Sequence, residues 1–339
     1  MRSYFYKFGF LGILIIAGFL VRAGYYPVSQ SAADAVSIAV PRDGSQGVVA
    51  ANMAAVPSGN VQGGLLADVG ATTANDAGTP VISDVGMSPF AHTGDAPAPV
   101  FSYHEALIAD VNSGAILFGD HDNTRWPLAS LSKLMTATIA VDSLDINQKV
   151  TVTPDMLAVD PTDTTLKVGD TYTVSDMLNI MLLRSSNVAA EALAGLYGRD
   201  RFLALMNARA AELGMGDTYY RDPSGLSPAN QSTADNLLLL VRKIYADCPQ
   251  IFAITRKPRA TVTNLATDRK IVVTSINNFA GQSDFLGGKT GYTDTADGNL
   301  LSIFKYENRP VLVIIMGTDE ADRFTNTTAL YNWFKQNFK

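Results

Sequence analysis

The sequence predicts an α/β fold of the α+β kind: an antiparallel sheet flanked by helices, with a helical insertion between its first and last strands. Three observations carry this. A turn signal inside an apolar stretch near residues 106–118 marks a hairpin. Helical spacing dominates residues 130–245. Two further strands and one amphipathic helix then close the chain. Strands at both ends of a helical stretch can pair into one sheet, which leaves the helices in the crossover. With 339 residues, 47% of them hydrophobic, the chain has the apolar side chains for a sizeable core.

The elements follow in order. Residues 106–110 and 115–118 flank Asn112-Ser113-Gly114, a hairpin turn signal. Residues 130–143 read as a helix, with Leu131, Leu134, Met135 and Thr138 at helical spacing. Thr173-Val174-Ser175-Asp176 opens a second helix in a capping-box pattern, and Met177, Leu178 and Met181 follow on its apolar face. An Ala-rich helix follows Asn187. Residues 199–213 form another, stopped by Gly214, and residues 232–245 another. Residues 300–306 and 311–316 are strands around Glu307-Asn308-Arg309-Pro310. The last helix carries Phe324, Leu330, Trp333, Phe334 and Phe338.

The chain divides into three parts. Residues 1–27 begin with Arg2 and Lys7 and continue into an apolar run over residues 8–21, shorter than a ~30 Å hydrocarbon core requires. This is either a cleaved signal peptide, with small residues around Ala23, or a retained membrane anchor with Tyr25 and Tyr26 at the interface. Either reading exports the remainder to the cell envelope. Residues 28–99 are rich in Ala, Gly, Val, Ser and Asp, with no aromatic residue between Tyr26 and Phe90. Such a stretch buries too little apolar area to offset its ordering entropy, so it reads as a flexible low-complexity linker spanning ~45 Å. Residues 100–339 hold the folded domain. The net charge of −6 argues against nucleic acid as a partner. A single cysteine, Cys248, excludes an internal disulfide and reads as structural. His92, His104 and His121 are the only imidazoles, and no carboxylate cluster marks a metal site, so neither a metal nor a cofactor is expected.

Three short motifs carry the chemistry. In Ser130-Leu131-Ser132-Lys133 the lysine stands three residues after a serine, so on a helix both share a face. A serine hydroxyl needs a base to become a nucleophile, and a lysine serves if burial or a neighbouring cation lowers its pKa. The helix start also offers backbone N–H groups to an oxyanion. The second motif, Ser185-Ser186-Asn187, can aim short polar groups into one cleft or simply cap a helix. The third, Lys289-Thr290-Gly291, lies in a glycine-rich stretch. It suits a strand that a substrate backbone approaches closely, with positive charge for a carboxylate. A phosphate loop would need glycine at position 283, which is Ser283.

Taken together and in this order, the three motifs are the signature of penicillin-binding proteins and related β-lactamases. The sequence resembles the low-molecular-mass penicillin-binding proteins of the D-alanyl-D-alanine carboxypeptidase family. The resemblance extends over about 103–338 and includes Trp126-Pro127-Leu128-Ala129-Ser130, Leu166-Lys167-Val168-Gly169-Asp170, Asp222-Pro223-Ser224-Gly225-Leu226 and Ser232-Thr233-Ala234. It implies a β-lactamase/transpeptidase-like fold and a serine peptidase that cleaves peptidoglycan stem peptides through an acyl-enzyme, with β-lactams as covalent inhibitors. It implies Ser130 as nucleophile, Lys133 as base, Ser185 in proton relay and Asn187 on the substrate amide. Lys289, Thr290 and Arg323 would hold the terminal carboxylate beside Gly291. The backbone N–H groups of Ser130 and Tyr292 would form the oxyanion hole. Without the resemblance, Arg323 reads as an exposed arginine opening a helix.

The chain departs from the family pattern at three places. Ser186 stands where glycine is usual, Ala296-Asp297-Gly298-Asn299-Leu300 replaces a more usual Ala-Gly sequence, and Gln231 stands where many members have histidine. These bear on pocket shape rather than on any reactive group. Release of terminal D-alanine is the first reading, and cleavage of D-alanyl cross-links, a DD-endopeptidase, is the alternative within the class. A β-lactamase is disfavoured because residues 160–170 contain no Glu to place a deacylating water. The non-enzyme alternative is a wall-binding scaffold with a degenerate site.

Overall fold

The computed structural model describes residues 90–339. The proposed export segment and nearly all of the proposed linker lie outside the described residues. In chain order come β1 (Glu105–Asp110), β2 (Ile116–Asp120), β3 (Trp126–Pro127) and a 3-10 turn (Ala129–Ser132). Then follow α1 (Lys133–Ser143), β4 (Lys149–Thr151), α2 (Pro154–Ala158), β5 (Thr171–Thr173), α3 (Val174–Arg184), α4 (Asn187–Tyr197) and α5 (Arg199–Glu212). After β6 (Gln231–Ser232) come α6 (Ala234–Asp247), α7 (Gln250–Thr255), β7 (Arg259–Asn264) and β8 (Arg269–Thr274). The chain closes with β9 (Phe285–Thr293), β10 (Asp297–Tyr306), β11 (Arg309–Thr318) and α8 (Arg323–Asn337).

The first and last strands do form one sheet. Its order is β2-β1-β11-β10-β9, and every neighbouring pair is antiparallel. The register of β1 on β11 sets Leu107 opposite Ile314 and Ala109 opposite Leu312. Successive side chains point to opposite faces, and both faces are buried, so these strands read as continuous apolar runs. Leu107, Ala109, Leu312, Ile314 and Met316 enter the larger core with the helical insertion. Ala106, Ile108, Val311, Val313 and Ile315 enter a second core under α8, filled by Leu330, Tyr331 and Phe334.

Helix starts follow the hydroxyl signals. Thr173 accepts from the Asp176 N–H at the start of α3, Ser186 from Ala189 at α4, and Thr233 from Asn236 at α6. The structure differs from the sequence reading in three places. First, the folded unit begins by Phe90, not at residue 100. Phe90 is buried against Phe334 and stacked under Arg309, and Ala91 and Lys339 exchange backbone hydrogen bonds. Phe90 and hydrogen bonds between residues 91–96 and Trp333, Asn337 and Lys339 anchor a segment whose composition reads as linker. Second, the expected helix over 130–143 begins as a 3-10 turn, and the α-helix proper starts at Lys133. Third, residues 259–274 form a hairpin with only Val262, Asn264 and Val273 buried, too short an inward pattern to stand out.

Candidate active site

The three motifs arrive from three separate elements and meet at the edge of the sheet. Ser130 sits in the 3-10 turn, preceded by Ala129 at φ 47°. That positive φ is uncommon for a residue with a Cβ, and it places strain beside Ser130. The turn is held from three sides. Asn299 Nδ2 donates to Pro127 O (2.9 Å) and Leu128 O (3.1 Å), while its Oδ1 accepts from Gly317 N (2.9 Å). Gly291 of β9 lies so close that a Cβ there would stand 3.0 Å from Leu128 O. A Cβ on Gly225 would fall 1.8 Å from Ala129 O, which explains the glycine after Ser224.

Lys133 is fully buried. Its Nζ lies 2.9 Å from Ser130 Oγ, 2.6 Å from Asn187 Oδ1 and 2.6 Å from Ser224 O. Burial pushes its pKa from the usual ammonium range down to about 7, and the carboxylates of Asp222, Asp160, Asp163 and Glu191 pull it partly back. A neutral amine has two N–H donors and one lone pair. Asn187 Oδ1 and Ser224 O can only accept, so they take both donors. The lone pair is then left for the Ser130 hydroxyl, the arrangement a general base needs. The Ser224 carbonyl is itself held by Asp222, whose carboxylate accepts from Ser224 N, Ser224 Oγ, Gly225 N and Ser227 N.

Ser185 caps α3 in the left-handed region at φ 61°. Its Oγ accepts from Lys289 Nζ at 2.9 Å, and Lys289 also donates to Thr290 O at 2.7 Å. Lys289 is buried on β9, and burial, with Lys133 and Arg323 nearby, holds its pKa well below the usual ammonium range. β9 is the outer strand of the sheet. Backbone groups that β10 does not use are therefore open to a substrate on the cleft side.

Ser130, Ser185, Asn187, Thr290, Gly291, Tyr292 and Arg323 line one cleft of about 210 Å³. Lys133 and Lys289 lie behind its wall. Arg323 is not an exposed helix residue: its side chain is 11% exposed, and Nη1 donates to Gly291 O and Glu320 Oε1, each at 3.4 Å. Tyr292 is half-exposed, with its hydroxyl donating to Asp294 at the rim. Among the described residues no group of three or more His, Cys, Asp and Glu side chains could hold a metal ion. His104 stacks on Trp126, and Cys248 is buried with Sγ 3.5 Å from Asp142.

Several residues of the site carried no sequence signal. Asp160 accepts from Asn187 Nδ2 at 2.8 Å, and Asp163 accepts from Ser186 Oγ. Asp222 and Ser224 shape the seat of Lys133, while Ile276 and Glu320 complete the cleft wall. Asp222 and Ser224 stand in a segment that the family resemblance does single out. Nothing local marks Asp160, Asp163, Ile276 or Glu320, which reach the site only through loop closure.

Comparison with known proteins shows which family the folded part resembles. The profile of the D-alanyl-D-alanine carboxypeptidase family matches residues 93–320. A D-alanyl-D-alanine endopeptidase of Escherichia coli is 31% identical over 250 residues, covering 71% of this chain and 79% of the relative. A D-alanyl-D-alanine carboxypeptidase of Mycobacterium tuberculosis is 31% identical over 227 residues, covering 66% and 77%. Among solved structures, a D-alanyl-D-alanine carboxypeptidase from Mycobacterium tuberculosis superposes with a TM-score of 0.66 at 29% identity, covering 71% of this chain and 94% of the other. Penicillin-binding protein D2 from Listeria monocytogenes in its cefotaxime-bound form gives 0.61 at 28% identity, covering 70% and 98%.

Proposed function

The chain belongs to the D-alanyl-D-alanine carboxypeptidase family, and on that premise we propose how its site releases terminal D-alanine from peptidoglycan stem peptides. The observation that carries the reading is the saturated Lys133, whose two carbonyl acceptors leave its lone pair on Ser130. The terminal carboxylate of the substrate binds Lys289, Thr290 and Arg323, the cationic end of the cleft. Ser130 Oγ attacks the penultimate carbonyl as Lys133 takes its proton. Backbone N–H groups of Ser130 and Tyr292 receive the developing oxyanion. The Ser185 hydroxyl passes a proton to the departing D-alanine amine and takes in its place the one Lys133 accepted from Ser130, which leaves Lys133 neutral. Water then hydrolyses the ester, with Lys133 as base again and Ser130 regenerated. A β-lactam enters by the same attack and leaves an acyl group on Ser130.

Cleavage of D-alanyl cross-links is a second reading, favoured by the relatives named endopeptidases. Peptidoglycan as substrate fits export to the envelope, as does the apolar run behind Arg2 and Lys7; whether that segment anchors the chain in the membrane belongs to the same proposal. The test compares D-alanine release from a soluble stem pentapeptide with cleavage of purified cross-linked muropeptides. Faster release from the pentapeptide supports the carboxypeptidase. Cleavage of the cross-link alone would replace it with the endopeptidase, and no turnover of either would return weight to a wall-binding scaffold.

A further inference from the structure

The loop over residues 160–165 forms an outer wall beside the cleft, and two of its carboxylates are tied to the start of α4. Asp160 is fixed first from its own side: Oδ1 accepts from Thr162 N at 3.2 Å and from Thr162 Oγ1 at 2.6 Å. Oδ2 is left to accept from Asn187 Nδ2 at 2.8 Å. The second tie runs from Ser186 Oγ to Asp163, while Ser186 Oγ also accepts from Ala189 N. A glycine at 186 could not make it.

A side-chain amide presents a donor at one end and an acceptor at the other, and a carboxylate can only accept. Asp160 therefore demands the NH2 of Asn187 and turns Oδ1 inward, onto Lys133. With the amide reversed, Nδ2 would face Nζ, and the lone pair of neutral Lys133 would accept from Asn187 instead of Ser130. We propose that Asp160 is a positioning residue for acylation: through Asn187 it fixes which end of the amide meets Lys133, and so keeps the base directed at Ser130. The inference rests on the reading of Ser130 and Lys133 as nucleophile and base. Asp163, through Ser186, holds the same loop at a second point.

The charges around Lys133 give this role a signature that simple loop support lacks. Asp160, Asp163, Asp222 and Glu191 favour its ammonium form, whereas Lys289 is a neighbouring amine whose charged form and that of Lys133 disfavour each other. Removing the Asp160 charge should shift the acid limb of the acylation profile to lower pH. Removing its acceptor should also lower the plateau.

The test measures acylation of the full-length protein by a fluorescent penicillin between pH 5 and 9. Asp160→Ala should lower the plateau on the order of 10-fold or more, the loss of one oriented hydrogen bond to a charged group. Asp160→Asn should keep more of the plateau than Ala, because its one oxygen can still accept from Asn187 while its amide nitrogen donates to Thr162 Oγ1, at the cost of the bond from Thr162 N. Both should move the acid limb down in pH. In an Asn187→Ala background, Asp160→Ala should lower the plateau no further. A wild-type plateau in Asp160→Ala would overturn the proposal, as would an Asp160→Asn no better than Ala, or losses that add in the double variant. Thermal midpoints separate misfolding from misorientation, and the isosteric Asn variant keeps the test open if Ala unfolds. Absence of any Ser130 adduct in the unmutated chain would remove the serine-peptidase reading and this proposal with it. An adduct with unaffected variants would remove this proposal alone.

Discussion

Acylation of Ser130 by a penicillin should switch on with a midpoint near pH 7, because Lys133 must be neutral to take the serine proton. Burial brings that lysine from 10.5 down to about 7. Half the molecules then carry the free base at pH 7. Below it the second-order acylation constant should fall ~10-fold per pH unit, to ~1% of the plateau at pH 5. A lysine left at its ordinary value would be neutral in only ~0.03% of molecules at pH 7, and the rate would climb steadily toward pH 10. The two cases differ by about three decades in available base at neutral pH, far more than other errors in such an assay. The measurement is a stopped-flow acylation series in constant ionic strength buffers, with fold checked by near-UV circular dichroism at each pH. A limb centred above pH 9, or a rate flat from pH 5 to 9, would refute the assignment of Lys133 as the base.

Other outcomes follow from the same geometry. The folded chain holds the Lys133 proton less tightly than the unfolded chain, so the cost of burying it, ~5 kcal/mol for the drop from 10.5 to about 7, is full below pH 7 and fades toward pH 10.5. Lys133→Met should therefore raise the thermal midpoint relative to wild type more at pH 6 than at pH 9; a pH-independent difference would contradict the depressed value. Gly225→Ala combines φ 86° with a Cβ 1.8 Å from Ala129 O, so it should destabilise by ~2 kcal/mol or more and slow acylation by moving Ser224 O; urea unfolding and acylation read the two effects, and wild-type values in both would be against it. Asp110 pairs with buried Arg309 between β1 and β11, so Asp110→Ala should cost about 3–5 kcal/mol in urea unfolding while leaving the cleft chemistry unaltered. Lys289 sits well below the usual ammonium range, and a bound carboxylate favours its charged form. Binding of an N-acylated D-alanyl-D-alanine to a Ser130→Ala variant should thus take up protons over part of a pH series run below 10.5. Calorimetry in buffers of different ionisation enthalpy measures this, and zero uptake would contradict it.

The residues that meet in the cleft were legible because the chemistry proposed for them demands particular side chains at short spacings. Ser130 and Lys133 share a turn, and the glycines around Lys289 announce close backbone approach. The sheet was legible for a similar reason, since turn signals and apolar runs sit on both sides of the helical stretch. What tunes those groups was not. Asp160 meets Asn187 and Asp163 meets Ser186 across loops whose closure depends on the whole insertion, with no local pattern to mark it. Spacing alone leaves Arg323 as an exposed helix-opening residue; the family resemblance names it, and the packing of α8 on β10 and β11 brings it into the cleft wall. The positive φ of Ala129 is likewise a product of tertiary constraint, since alanine itself gives no reason to adopt it. Composition alone reads residues 90–99 as linker, whereas Phe90 and Ala96 meet partners on α8 and β10.

The central claim is that Ser130 is the nucleophile that Lys133 activates. Intact-mass spectrometry of the full-length protein after exposure to a penicillin, followed by peptide mapping, tests it most directly. One drug-sized mass increment on the peptide holding Ser130, absent in Ser130→Ala and reduced to near zero in a folded Lys133→Ala, is the predicted result. An increment on any other residue, or an undiminished adduct in Lys133→Ala, would contradict it.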